Sequence, residues 1–513
     1  MKNILFTSAL FLTSLCLIAQ APSIEWQKSL GGSGWDRAYS IEQTTDGGYI
    51  VVGYSSSTDG DVTGNNGNSD YWVVKLDGTG TIEWQKSLGG SGGDDARSIQ
   101  QTADGGYIVA GSSNSTDGDV TGNQGDWDYW VVKLDGSGII TWQKSLGGSG
   151  SDIAYSIQQT TDGGYIVAGR SNSTDGDVTG NHGLYDYWVV KLDSIGTITW
   201  QKSWGGSGWD EASSIQQTID GGYVVTGSSI STNGDVTGNH GYEDYWVVKL
   251  SSTGAIVWQK SLGGTKYDVA YSIQQTTDGG YIVAGTSTSN NGDVTGNHGG
   301  ADYWVVKLSS IGSIIWQKSL GGTAWEEAYS IEQTTDGGFV VVGYSDSNDG
   351  DVTGNNGGRN YWVVKLSSTG TIYWQKALGG TNGSNLGHSI QQTTDGGYVI
   401  AGRSNSNDGD VTGNHGDYDY WVIKLSPSVG VNEIAAFNEF SVYPNPTSNQ
   451  ITLKVKTDLI GDVYTIYDNM GKMVMSGKIN TENTVIELNN LSSGIYLFSI
   501  GENSKQTFKV IKN

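Results

Sequence analysis

The chain has 513 residues, among them 79 Gly, 19 Trp, 4 Pro and 1 Cys, and a formal net charge of -25. A collagen needs Pro and a three-residue period, a disulfide scaffold needs cysteines, and a nucleic-acid binder does not carry this much negative charge against phosphate, so all three classes are excluded. Aromatic residues make up 11%, enough for a large core and an argument against disorder.

At the N-terminus, Lys2 precedes an apolar run from Ile4 to Ile18, and small residues follow at Ala19 and Ala21. This is the pattern of a secretory signal peptide over residues 1–19. A cut after Ala21 would place Pro22 just past the scissile bond, so cleavage is expected after Ala19. Leu15 before Cys16 is wrong for a lipoprotein signal. The mature chain would lack cysteine, which suits an oxidising envelope. No other stretch is long and apolar enough for a transmembrane helix.

Internal repetition dominates residues 24–426. Trp26, Trp84, Trp142, Trp200, Trp258, Trp316 and Trp374 each open a WQKSLGG-like segment and stand 58 residues apart. Each unit reads as four strands. Ser40 to Thr44 is short and mixed, and Asp46-Gly47-Gly48 is a hairpin signal. Tyr49 to Gly53 is nearly all apolar, and a polar stretch leads to Tyr71 to Leu76. Asp77 to Gly80 turns the chain, and then Ile82, Trp84 and Leu88 alternate with Glu83, Gln85 and Ser87. Continuous apolar strands belong inside a sheet, and the alternating charged strand at its outer edge.

Seven such sheets predict an all-β fold, a seven-bladed β-propeller over residues 24–426. The unit is long for one coil of a β-solenoid, and its frame is permuted. The chain opens at Ile24 with an outermost strand, while the repeats end at Leu425 with a third strand. The orphan first strand is therefore expected to complete the last sheet and close the ring. The recurring LGGSG, DGGYIVAG and DYWVVKL segments resemble the bacterial SBBP β-propeller repeats. That resemblance implies the same fold and little about function.

With Ser40–Thr44 at the channel, the Asp-Gly-Gly and Asp-Gly-Thr-Gly turns share one face. The long polar loop and the Gly31–Asp36 connection share the other, and there the copies differ most. Rigidly held loops are where binding residues usually sit. The aromatic residues Trp35, Trp127, Tyr185, Trp209, Tyr242, Tyr267, Trp325 and Tyr418 on that face are the candidate ligand contacts. The same loops hold many acids, so this face is expected to be an acidic rim suited to cations or cationic partners.

Counted from Asp59, oxygen donors fall at positions 1, 3, 5 and 12: Asp59, Asp61, Thr63 and Asp70. The next copies repeat them as Asp117, Asp119, Thr121 and Asp128, then Asp175, Asp177, Thr179 and Asp186. The spacing, with Gly at position 6, resembles the EF-hand calcium loop. It lacks the bidentate Glu at position 12 and the flanking helices. The competing reading is a turn held by Asx side chains. Calcium is the one cofactor the sequence suggests.

His182, His240, His298 and His415 share a loop position that holds Asn or Gln in other copies, so hydrogen bonding is expected there rather than a shared metal. Arg37, Arg97, Glu211, Lys266, Glu326, Glu327 and Arg359 break the repeat but bring no partner motif with them, so no catalytic residue is assigned.

Composition changes after Leu425. A linker, 427–437, leads to residues 438–513, where Trp is absent and seven short strands predict a small β-sandwich. Tyr443-Pro444-Asn445-Pro446, the Tyr467–Lys472 segment with Gly471, and Leu491–Tyr496 with Gly494 and Tyr496 resemble the type A C-terminal sorting domain of type IX secretion substrates. The resemblance implies a Gram-negative bacterium of the Bacteroidetes type, handling by the type IX translocon and its sorting peptidase, and a product secreted or held at the outer-membrane surface. The expected function is a non-enzymatic binding or adhesion module for an extracellular glycan or protein. The alternatives are a carbohydrate-active hydrolase or lyase on the same scaffold, and a structural surface-layer protein.

Overall fold

The computed structural model describes residues 21–427 and, toward the C-terminus, residues 440–443, 447–455, 459–468, 472–500 and 506–512. The expected signal peptide and nearly all of the expected linker lie outside the described residues. The chain divides into two units, Met1–Ser428 and Val429–Asn513.

In the first unit the strands run β1 (Ile24–Leu30), β2 (Asp36–Gln43), β3 (Tyr49–Ser55), β4 (Asp70–Leu76) and β5 (Ile82–Leu88). They continue in the same order to β26 (Asn385–Gln392), β27 (Tyr398–Ser404) and β28 (Asp419–Leu425). Six four-stranded antiparallel sheets follow the order β2-β3-β4-β5, and the seventh is β1-β28-β27-β26. Ile24 pairs with Leu425 and Leu30 with Tyr420. The orphan strand thus closes a seven-bladed ring, and the permuted frame has its physical reason.

Burial follows the sequence pattern. β3 is almost wholly buried and β4 wholly so, while β5 is mostly half-buried, with Glu83 exposed and Leu88 buried. Each blade junction holds one apolar cluster built from two neighbours. Ile50, Val52, Tyr71 and Val73 of the first blade, for example, meet Ile99, Tyr107, Val109 and Trp130 of the second. The buried Tyr71 hydroxyl donates to the Trp130 carbonyl at 2.9 Å, so its polar end is not stranded. Lys75, inside β4, reaches the hairpin carboxylate of Asp46 at 3.0 Å.

The junctions also contain paired acids. Around Gly89, the Asp70 and Asp94 carboxylates come so close that a Cβ there would stand 2.7 Å from Asp70 Oδ1 and 2.4 Å from Asp94 Oδ2. The same arrangement recurs as Asp128/Asp152, Asp186/Asp210, Asp244/Asp268, Asp302/Glu326 and Asp419/Asp36. At the seventh junction two amides replace the acids, and Asn385 Nδ2 donates to Asn360 Oδ1 at 2.8 Å.

Among its described residues the second unit has the strands β29 (Phe440–Tyr443), β30 (Gln450–Val455), β31 (Val463–Tyr467), β32 (Met473–Lys478), β33 (Asn483–Glu487), β34 (Gly494–Ile500) and β35 (Gln506–Lys512). They form the sheets β29-β30-β33 and β32-β31-β34-β35, which share a core of Ile451, Leu453, Ile466, Ile486, Phe498 and Val510. Of the sorting motif, Tyr443 is exposed on β29. Gly494 and Tyr496 lie in β34, and the Tyr496 hydroxyl donates to the Ser492 carbonyl at 2.9 Å. Pro444, Asn445, Pro446 and Gly471 lie outside the described residues. Among the described residues no helix is long and apolar enough to cross a membrane.

Candidate functional site at one mouth of the channel

β2 and its six equivalents surround the axial channel. Their Ile and Gln side chains, such as Ile99 and Gln100, line it. Each Gln binds the next blade: Gln100 Oε1 accepts from Gln159 N at 2.6 Å and Gln158 Oε1 from Gln217 N at 2.6 Å. Two copies carry acids instead, Glu42 and Glu332, and burial pushes both up to about 7. Where the copies agree, this strand builds a tube.

Toward the loop-bearing mouth they stop agreeing. β2 shifts register between Ala38 and Ser40, a bulge that leaves Tyr39 unpaired and re-aims its side chain. Every other blade repeats the bulge, so the residues at this position meet around the channel. Arg97 lies 4.1 Å above the Tyr39 ring. Tyr39 stands 4.9 Å from His388, His388 4.8 Å from Tyr329, and Tyr329 5.1 Å from Tyr271. Blade four contributes Ser213 and leaves a gap in this collar. Around it stand Arg37, opposite Tyr54 across the sheet, Arg170, opposite Ile153, and Arg403, opposite Leu386. Burial and the charges of Arg403, Arg97 and Arg37 hold His388 well below the usual histidine range.

The sequence-predicted aromatics lie on the same face and pair across the blade junctions. Trp35 meets Tyr418 at 5.9 Å, Tyr185 meets Trp209 at 4.9 Å, and Tyr242 stacks on Tyr267 at 5.4 Å. Trp127 rests on Gly93 of its own blade, and Trp325 on Gly300 of the adjacent one. Trp35, Trp209, Tyr242, Tyr267 and Trp325 are exposed, while Trp127, Tyr185 and Tyr418 are half-buried.

Sequence reasoning missed the collar and its arginines. Arg37, Arg97, Glu211, Glu327 and Arg359 look scattered along the chain, yet the ring gathers them. Arg170 pairs with Glu211, Tyr329 donates to Glu327 at 2.8 Å, and Arg359 binds Asp346 at 2.8 Å. The signal in the sequence was that the chain's arginines all stand at positions the repeat does not fix. Glu326 belongs to a different group, the acid pairs at the blade junctions.

The acids of these loops are tied to backbone donors. Asp59 Oδ1 accepts from Ser33 N at 2.7 Å, Asp61 Oδ2 from Gly31 N at 3.2 Å and Asp70 Oδ2 from Asn66 N at 2.8 Å, while the Thr63 hydroxyl is taken by Gln85. Gly60, at φ 65°, lets the loop turn against the Gly31 carbonyl. The second and third copies repeat this. Asp117, Asp119 and Asp128 accept from Ser91, Gly89 and Gln124, and Thr121 from Gln143. Asp175, Asp177 and Asp186 accept from Ser149, Gly147 and His182, and Thr179 from Gln201. These oxygens face separate donors rather than one centre, and no group of three or more His, Cys, Asp or Glu among the described residues could hold an ion. As they stand, the side-chain oxygens are engaged in an Asx-bonded loop. Excess EDTA is accordingly expected to leave the melting temperature unchanged in calcium-containing buffer; a drop of several degrees would restore the ion. The four loop histidines bind acids of their own blades, as His182 Nδ1 does Asp186 at 2.7 Å.

Residues 441–513 match the family described as Secretion system C-terminal sorting domain. Over 408 residues the chain is 26% identical to the Regulatory protein FlaEY of Caulobacter vibrioides, covering 69% of this chain and 41% of that protein, so it spans less than half of that relative's length. Among solved structures it is similar to PorZ, an essential bacterial surface component of the type-IX secretion system of Porphyromonas gingivalis, at 12% identity and a TM-score of 0.43 over 95% of this chain and 60% of that one. It is also similar to BamB from Moraxella catarrhalis, at 14% identity and a TM-score of 0.36 over 79% of this chain and 99% of that one. The sorting domain marks the chain for type IX export, to the cell surface or beyond it.

Proposed function

We propose that the ring is a non-enzymatic binding or adhesion module that takes an extracellular glycan or protein at the loop-bearing mouth, and that the sorting domain carries it there. In this reading residues 1–19 are a signal peptide and the source is a Bacteroidetes-type bacterium. The observation that carries the binding role is an asymmetry between the two faces. The Asp-Gly-Gly face repeats one hydrogen-bonded turn in every blade, as Thr44, Asp46 and Gly48 do in the first. The opposite mouth differs from blade to blade and exposes its aromatic rings. A scaffold needs no such variety; a surface shaped to one ligand does.

Binding of the chain lacking residues 1–19 to an array of glycans and surface proteins tests this. Trp209→Ala and Tyr242→Ala are each expected to weaken the bound ligand by about tenfold. Ile219→Ala, at a side chain 94% exposed on the other face, should change nothing. Equal losses at both faces would refute the assignment.

A further inference from the structure

All five arginines of the chain, Arg37, Arg97, Arg170, Arg359 and Arg403, stand at this one mouth. The ring's lysines, by contrast, occupy two fixed places in every blade, Lys266 apart. Two of the arginines are neutralised, Arg170 by Glu211 and Arg359 by Asp346. The other three belong to adjacent blades, the seventh, first and second, and crowd His388. Among the described residues Asp95, 3.7 Å from Arg97, is the one carboxylate in an ion pair with them, while Asp417 accepts from Trp35 Nε1.

Each of these guanidinium groups is held against aromatic rings. Arg37 lies 4.5 Å from the Trp35 ring and 5.5 Å from Tyr418. Arg403 lies 5.1 Å from Tyr418, and Arg97 4.1 Å from Tyr39. Ring contact holds the planar fork in place while its N–H edge stays available for an oxyanion. The Nε atoms of all three, and His388 Nε2, are buried without a protein partner. Three guanidinium groups with one paired acid among them raise the energy of the site. Burial and Arg37 both draw Arg403 below its usual range.

We propose that the sector bounded by Arg37, Arg97, Arg403 and His388 binds an oxyanion borne on a sugar, the carboxylate or sulfate of an acidic extracellular polysaccharide. This rests on the reading of the mouth as the binding face and deepens it. Arginine forks match carboxylate and sulfate geometry, and the exposed Trp35 ring beside Arg37 offers a sugar an apolar platform. A peptide strand finds the mouth's backbone already bonded: Trp35 N to Ser56 Oγ at 2.7 Å, Ser56 N to Trp35 O at 2.9 Å and Asp36 N to Tyr418 O at 2.6 Å.

The test uses the chain lacking residues 1–19 with four probes at low salt: polygalacturonate oligomers, chondroitin sulfate oligomers, a neutral glucan and poly-glutamate. One or both acidic saccharides are expected to bind, weakening about tenfold or more as salt rises. Arg37→Gln, Arg97→Gln and Arg403→Gln should each weaken that binding about tenfold, with the Lys variants intermediate and Ile219→Ala unchanged. Thermal melts of each variant separate lost binding from lost folding. If Trp209→Ala weakens ligand binding while the three Gln variants do not, or if the neutral glucan binds as tightly, the oxyanion site is overturned and the binding mouth stands. If neither set has any effect, both readings fall. Binding of poly-glutamate without either acidic saccharide overturns the sugar assignment.

Discussion

A chain that begins at Gly31 is expected to lose the ring, not merely one strand of it. β1 supplies the outer strand of the seventh blade, pairing with β28 from Ile24 to Leu30. Its loss would strip Leu30 from the cluster shared by the first and seventh blades and leave the Trp421 indole N–H without Gln27 Oε1. It would also remove Glu25, 3.4 Å from Lys424. β28 is buried at every position. Uncovered, it becomes a flat apolar edge, the kind that recruits other chains. Fully burying one Leu or Ile contributes roughly 1.5–3 kcal/mol and each ladder bond about 0.5–1.5 kcal/mol, so the loss reaches several kcal/mol before aggregation begins. Thermal unfolding should fall by about 10 °C or more, with soluble aggregate on gel filtration. A synthetic peptide spanning residues 21–31, added in trans, should recover part of that stability. A melting temperature within a few degrees of the intact chain would mean that closure rests on blade-to-blade packing alone.

The ring was legible because strand periodicity and burial are local. The apolar run of Tyr71–Leu76 identifies a central strand, the alternation at Ile82–Leu88 an outer one, and the permuted frame the place of closure. The exposed aromatics were legible for the same reason, since each sits on a loop whose variation shows within the chain. Contacts between blades were not legible. Tyr39 and His388 are almost the whole ring apart in sequence, and only the bulge that each carries in its own blade lets the two rings meet. Asp70 has the spacing of a metal ligand within its own loop. Its surroundings are set as much by Asp94, which the neighbouring blade brings up behind Gly89. Sequence spacing describes a residue's own blade; the site and the acid pairs belong to the junctions.

Those junctions predict that the ring is more stable at pH 5 than at pH 8.5. Asp70 Oδ1 is buried and receives no hydrogen bond, while Asp94 Oδ2 already accepts from Gly90 N and Ser115 Oγ. A proton on Asp70 would supply a bond between them; in the amide pair the donor is on the other side, Asn385, the counterpart of Asp94, donating to Asn360, the counterpart of Asp70. Burial foremost, joined by the charges of the facing acids, pushes Asp70 and Asp128 up to about 7. Burial also lifts Asp186 and Asp419 to about 6, although each accepts from a loop histidine. Glu42 and Glu332 rise to about 7 in the channel.

A folded pKa above the unfolded value means that the fold binds the proton more tightly. The stability from these groups is therefore complete below about pH 4 and is lost as pH rises through 6 to 7. Asp46 and its counterparts have the opposite sign. Despite partial burial, bonds from Thr44, Gly48 and Lys75 hold Asp46 at about 2, so its contribution is lost only in strong acid. A pKa displaced by one pH unit is worth about 1.4 kcal/mol, and the separated junctions add. The expected fall in melting temperature from pH 5 to 8.5 is about 5–10 °C. Asp70→Asn places an amide donor where the proton sits. It should raise stability at pH 8.5, leave it unchanged at pH 5 and flatten the profile, and Asp70→Asn with Asp128→Asn should do so additively. A flat wild-type profile, or an Asp70→Asn chain less stable at pH 8.5, would show that the paired acids do not share a proton.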